Sequence, residues 1–290
     1  MIKKNLHTLR IILIIITIAG GLGFFFVLRD PCRQKLCMIF LDVGQGDSIL
    51  VRTPQGRAVL IDGGPDRSVL SELGDALPFY QRRIDMVVLT HPDADHVVGL
   101  VDVLKRFNVR HVTYTGVEGS NSAYEAFEEL IAQKSISTTF AEAGNTFVFD
   151  DNITFTVLFP FESFAGKSVE DINGTSVVMK MTYADTVAIF TGDASVDVEK
   201  QMLSQSISLD ADILKVGHHG SRTSTSEKFI DAVSPKYAII QSEIDNDFGH
   251  PHPEVIERLQ SRDIHILRND QQGMIWVISD GEKIGVKTEK

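Results

Sequence analysis

Two cysteines, one tryptophan and nine prolines among 290 residues leave little from which to build a bridge-held or proline-rich protein. So few cysteines exclude a disulfide scaffold and a four-cysteine zinc site alike. Base is not in excess either. Lys and Arg number 28 against 39 Asp and Glu, a formal net charge of -11, which argues against a protein that coats nucleic acid through a broad basic face. No long linker, low-complexity run or repeat divides residues 36–290. A composition of 43% hydrophobic and 23% charged residues therefore reads as one globular body with room for a sizeable core.

The charge is unevenly placed. Residues 1–29 carry Lys3, Lys4, Arg10 and Arg29 and no acid, so the remainder has 24 bases against 39 acids, a net charge of -15. Between Arg10 and Arg29 lies an uncharged run, IILIIITIAGGLGFFFVL (11–28), whose 18 residues span about 27 Å as a helix. It reads as one uncleaved transmembrane helix, because it is long and no small-x-small cleavage site follows it. A removed signal peptide is the alternative, and either would export the body. The expected division is an anchor with a short linker at 1–35 and a catalytic domain at 36–290, at the cell membrane and outside the cytoplasm. Arg29, Arg33 and Lys35 nearly match the bases on the other side, so charge alone orients the segment weakly. Cys32 and Cys37 follow directly. They either close a small disulfide loop, or Cys37 begins a buried strand and Cys32 is a free thiol.

Beyond residue 36, short apolar runs bounded by turn residues alternate with amphipathic stretches. Strands are expected at 37–43, 48–53, 57–62, 84–90, 109–114, 146–150, 153–159, 176–183, 186–192, 212–217, 237–242, 264–268 and 274–279. Helices are expected at 68–77, 97–106, 121–134, 194–204, 224–233 and 253–262, the last opened by Pro253. The pattern predicts an α/β fold of two mixed sheets packed face to face with helices on the outer faces. Loops at about 160–174 and 243–252 are long enough to suggest function.

Aspartates and histidines stand where apolar strands end. AVLI runs into Asp62, MVVLT into His91-Pro-Asp93-Ala-Asp95-His96, VAIFTG into Asp193, and DILKVG into His218-His219. Ligand sites in α/β sheets form outside the carboxyl ends of strands, so four such ends can share one crevice. His91 and Asp93, two apart on extended backbone, point the same way, while Asp95 and His96 enter the next helix and face a second point. Read singly, Asp93 or Asp95 is an N-cap, His91 a core histidine and Asp193 a turn residue. Read together, they have the residue types of a metal site.

These residues resemble the metallo-β-lactamase superfamily, in its variant with aspartate at the second ligand position. LIDGG (60–64), THPDADHVVGL (90–100), TGD (191–193) and LKVGHHGS (214–221) are similar to its successive motifs. With FLDVGQGDSIL (40–50) and GHPHPEV (249–255), the set is most similar to the hydrolase domain of competence DNA-uptake proteins of the ComEC type and their stand-alone relatives. The resemblance covers nearly all of residues 38–280. It implies the αββα sandwich of that superfamily and two divalent ions, zinc or manganese, with magnesium able to compete. It implies one ion at His91 and Asp93, another at Asp95, His96 and His219, and Asp193 between them. His218 is the alternative to His219, or touches substrate. The superfamily's third motif supplies a histidine to the first ion, but none occurs between His111 and His218; Asn173 in NGTS stands near the corresponding place.

The implied reaction is hydrolysis of a phosphodiester, with single-stranded DNA as a candidate substrate. Asp95 and Asp193 are expected to act on water and metal, Lys215 to touch phosphate, and His250 to protonate a leaving group or bind phosphate. Ser221 and the SRTSTS loop are further candidates for substrate contact. Asp62 is expected to support the site through hydrogen bonds, and Gln45 and Asp47 to be structural or close to it. Two other functions fit the sequence: an envelope esterase acting on phosphorylated or lactam-like substrates, and a non-catalytic metal-binding module. The oligomeric state is not legible.

Overall fold

The computed structural model describes residues 12–14, 17, 30–119, 121–150 and 152–290. Most of the apolar run 11–28 lies outside these residues; 12–14 and Thr17 are helical. Among the described residues no helix is long and apolar enough to cross a membrane.

Two large sheets carry the domain. One has eight strands in the order Ile284–Thr288, Ile275–Ser279, Leu36–Phe40, Ile49–Arg52, Ala58–Ile61, Met86–Val88, His111–Tyr114 and Ser137–Phe140. The other has seven, in the order His265–Arg268, Tyr237–Ile240, Ile213–Lys215, Thr186–Phe190, Val178–Tyr183, Ile153–Phe159 and Thr146–Phe149. Both mix parallel and antiparallel pairs, as expected.

Alternation along each strand builds the layers. Met38, Phe40, Val59, Ile61 and Val88 of the first sheet meet Phe155, Met179, Met181, Phe190 and Ile213 of the second in the central core. Cys37, Ile39, Leu50, Leu60 and Val87 point the other way, onto the helices Ser68–Ala76, Ala94–Arg106 and Ser122–Gln133. Behind the second sheet, Ile189 and Leu214 pack on Val196–Leu203 and Glu227–Val233, while Ala238 and Ile240 pack on Pro253–Gln260. Both faces of the central strands are thus buried, which is why they read as unbroken apolar runs.

Every strand and helix expected beyond residue 36 has a counterpart in the structure, most of them with tighter boundaries. Two edge strands were not expected, STTF at Ser137–Phe140 and IGVKT at Ile284–Thr288, both largely exposed. A short two-stranded pair, Arg83–Ile84 with Asn108–Val109, was also unexpected. The helix expected from 97 begins at Ala94, so Asp95 and His96 lie in its first turn, where a carboxylate favours the helix dipole. Cys32 and Cys37 form a disulfide, and Cys37 also sits buried in the first strand.

The approach of helix Ala94–Arg106 to the loop after Ala58–Ile61 sets up the site. Gly63 N donates to the His96 carbonyl at 2.8 Å and Gly99 N to the Gly64 carbonyl at 3.0 Å. A Cβ on Gly99 would lie 1.9 Å from the Gly63 oxygen, so only glycine permits this contact. Gly99→Ala is expected to cost about 3 kcal/mol, seen as a lower urea midpoint at unchanged m. An unchanged midpoint would show that the helix can back away.

Candidate metal centre

The site lies at one end of the sandwich, where strands of both sheets run out. Met86–Val88 leads to His91, Thr186–Phe190 to Asp193, and Ile213–Lys215 to His218 and His219. The last turn is strained: His218 and His219 have φ of 48° and 53° and Gly220 follows at 84°, all in the left-handed region. This turn directs both imidazoles at Asp193, whose Oδ2 lies 3.6 Å from His218 Nε2 and 3.5 Å from His219 Nε2.

Three buried imidazoles are fixed through their inner nitrogen. Thr90 Oγ1 stands 3.0 Å from His91 Nδ1, Asp62 Oδ2 lies 2.9 Å from His96 Nδ1, and His219 Nδ1 donates to the Gln241 carbonyl at 2.9 Å. Asp62 is held in turn by the Thr90 N–H at 2.8 Å and the Thr90 hydroxyl at 2.7 Å. The outer Nε2 atoms of His91, His96 and His219, and Oδ1 of Asp193, are buried without hydrogen-bond partners. They converge. His96 Nε2 is 3.4 Å from Asp193 Oδ1, His219 Nε2 is 3.3 Å from Asp95 Oδ2, and His91 Nε2 is 3.5 Å from Asp93 Oδ2.

Unpartnered buried polar atoms are costly, and several aimed at one point fit a cation. Donor atoms lie within 4.8 Å of one another in the set His91, His96, Asp193 and in the set Asp95, His96, His219. Imidazole nitrogen with carboxylate oxygen suits zinc or manganese. Asp47 and Asp62 also fall near these histidines, but the Asp62 oxygens are taken by Thr90 and His96.

The electrostatics point the same way. Burial would raise the Asp193 carboxyl, but His219 and His96 hold it well below the usual carboxylate range; Asp95 is held low by His96 and His219, again against burial. Burial would lower both histidines, yet Asp193 and Asp62 raise His96 well above its ordinary value, and Asp193 and Asp47 raise His219 to about 10. The crevice thus holds an excess of carboxylate that draws positive charge.

The sequence-derived residues separate here. His91, Asp93, Asp95, His96, Asp193, His218 and His219 come together. His250 stands at the rim, its ring 5.5 Å from His218 and 6.3 Å from His219. Burial, with His219 and His218, pushes His250 down to about 4, so it is a neutral imidazole at pH 7 and not a ready proton donor. Lys215 is a correction: its ammonium is fully buried, 2.5 Å from Asp47, and has no face open to phosphate. Asn173 has a buried carboxamide oxygen without a partner, and its segment borders the site through Ser176, whose hydroxyl accepts from Asp193 N at 3.2 Å. Thr90, Ser176 and Gln241 were missed, although Gln241 follows the apolar run YAII at the same sheet end as Asp193.

Comparison with known proteins gives the family and the fold. The profile of the Metallo-beta-lactamase superfamily matches residues 41–242. ComE operon protein 3 of Bacillus subtilis (strain 168) is 31% identical over 279 residues, 89% of this chain and 35% of that protein. Competence protein ComA of Neisseria gonorrhoeae is 31% identical over 237 residues, 81% of this chain and 31% of that protein. The chain thus spans about a third of the length of these curated relatives. Among solved structures, the metallo-beta-lactamase fold protein YhfI from Bacillus subtilis superposes with a TM-score of 0.54 at 12% identity, covering 80% of this chain and 95% of that one, a likeness of fold.

Because His219 is raised to about 10, its proton stabilises the cation-free fold in full below pH 6.5, and that contribution is lost as pH climbs through about 10. A divalent cation must displace such protons. Adding Zn2+ or Mn2+ at pH 7 is expected to release protons, with affinity rising from pH 6 to 9. Calorimetry in two buffers of unlike ionisation enthalpy measures the release; equal heats in both would contradict it.

Proposed function

The chain belongs to the metallo-beta-lactamase superfamily of metal-dependent hydrolases, and within it we propose a membrane-tethered phosphodiesterase that cleaves single-stranded DNA outside the cytoplasm. The observation that carries this reading is the convergence of three unpartnered imidazole nitrogens on Asp193. In it, His91 and Asp93 would hold one divalent ion and Asp95, His96 and His219 the other, with Asp193 available to both. Two such ions against the carboxylates of Asp93, Asp95 and Asp193 leave about one positive charge, which favours an anionic ester despite the acidic body.

Divalent ions bound there would supply Lewis acidity toward the phosphoryl oxygens and would lower the pKa of water. The protein's own groups position the reactants. Asp95, partly exposed, faces the crevice and can orient the attacking water. Asp62, Thr90 and Gln241 fix the three imidazoles so that little reorganisation accompanies reaction. His218, 27% exposed, and His250 offer substrate contacts at the rim.

Two further features support a single strand and a membrane. Phe248, 65% exposed, stacks on His250 with ring centroids 5.7 Å apart, an aromatic face such as unpaired bases use. The uncharged run 11–28 supports the tether, and both named curated relatives are competence or com-operon proteins. A second reading, an envelope esterase, is favoured by the net charge of -15 outside the first 29 residues, since a small substrate needs no basic track.

Hydrolysis of a single-stranded oligonucleotide and of bis(p-nitrophenyl) phosphate, with Mn2+, Mg2+ or Zn2+, tests the proposal. Asp193→Ala is expected to remove several kcal/mol of transition-state stabilisation, about a thousandfold in rate. No metal-dependent turnover by the parent would sink the reading, and ester hydrolysis without DNA cleavage would select the esterase.

A further inference from the structure

We propose that Asp47 and Lys215 form a buried charge pair that sets His219, and with it Asp95, for a divalent cation. The inference deepens the metal-dependent reading and rests on it.

Both residues are fully buried, and Lys215 Nζ lies 2.5 Å from Asp47 Oδ2. The ammonium also donates to the Val216 carbonyl at 2.9 Å, so its direction is fixed from two sides. The other oxygen, Oδ1 of Asp47, has no hydrogen-bond partner of its own and stands 3.2 Å from His219 Nδ1. The Nδ1 proton points at the Gln241 carbonyl, and the carboxylate sits beside that bond as a negative charge. A proton kept on Nδ1 leaves the Nε2 lone pair directed at Asp95 and Asp193, as ligation requires.

The backbone around Asp47 does the same for Asp95. Asp47 N donates to the Asp95 carbonyl at 3.3 Å, and the Asp47 carbonyl accepts from Gly64 N at 2.8 Å. A Cβ on Gly46 would fall 2.3 Å from the Asp95 oxygen, so the loop presses against that residue's main chain. The Gln241 amide closes the arrangement by donating to the Leu41 and Ser48 carbonyls at 2.9 and 3.0 Å, at the two ends of the loop. One short loop thus braces two residues that reach the crevice from different sheets.

Stability does not account for the pair. Desolvating two charges offsets most of their attraction, and well-packed apolar side chains of similar volume do as well or better. Carboxylate partners behind ligating imidazoles, by contrast, commonly change metal affinity 10- to 100-fold. Lys215 lets a carboxylate occupy that place in a sealed interior. It is a positioning residue, as is Asp47, and neither touches substrate.

The test titrates Zn2+ and Mn2+ into the full chain and into Lys215→Met, Asp47→Leu and the double variant. Each single variant leaves a bare buried charge and is expected to melt lower. The double variant is expected to regain the parental melting temperature yet bind cation about 10- to 100-fold more weakly. A folded double variant with parental affinity overturns the proposal. Nitrogen-15 NMR of the histidines in the Zn2+-loaded parent adds a check that does not need the variants to fold: the His219 proton is expected on Nδ1, where Gln241 accepts it beside Asp47, and a proton on Nε2 overturns the proposal. A parent that takes up no cation defeats this inference and the proposed function together. A parent that binds cation and is weakened by the double substitution, but cleaves no phosphodiester, upholds the inference and defeats only the activity.

Discussion

Everything at the site depends on how a carboxylate can be kept inside a protein. Asp193 is 2% exposed and one of its oxygens has no hydrogen-bond partner. Removing such a charge from water is expensive unless positive charge comes with it. The surrounding imidazoles meet that demand, each with its inner nitrogen already committed and its outer nitrogen turned to the carboxylate. Protons on those nitrogens satisfy the charge, and so would a divalent ion. The same atoms that make the crevice costly to build make it suited to a cation.

The fold carries that cost through small, specific devices. Glycines at 63 and 99 let helix and loop backbones touch, which places His96 over Asp62. A left-handed turn at His218 and His219 spends backbone strain to aim two rings from one strand end. Such strain persists only where the surroundings over-determine it, and Ser224 does so here by donating to the Gly217 and Ser221 carbonyls at 2.7 and 3.1 Å.

Much of this was legible in the sequence for a plain reason. Central strands buried on both faces are apolar throughout, and the charged residues that end them stand out against that background. HPDADH was visible because its spacing is local. The edge strands at Ser137–Phe140 and Ile284–Thr288 were invisible because one side of each is solvated and their residues are as polar as a turn's. Lys215 was misjudged for the opposite reason. Its place beside HHG suggested an open surface, while the residue that claims it, Asp47, is remote in sequence and comes from the other sheet's loop. Pairings of that kind leave no local pattern.

The donors come from both sheets. His91, Asp95 and His96 follow a strand of the eight-stranded sheet, and Asp193 and His219 follow strands of the seven-stranded one. A cation held among them would therefore rivet the sandwich, resisting shear between the two layers. Loss of registry between the layers along the central core would reach the crevice as a change in donor spacing.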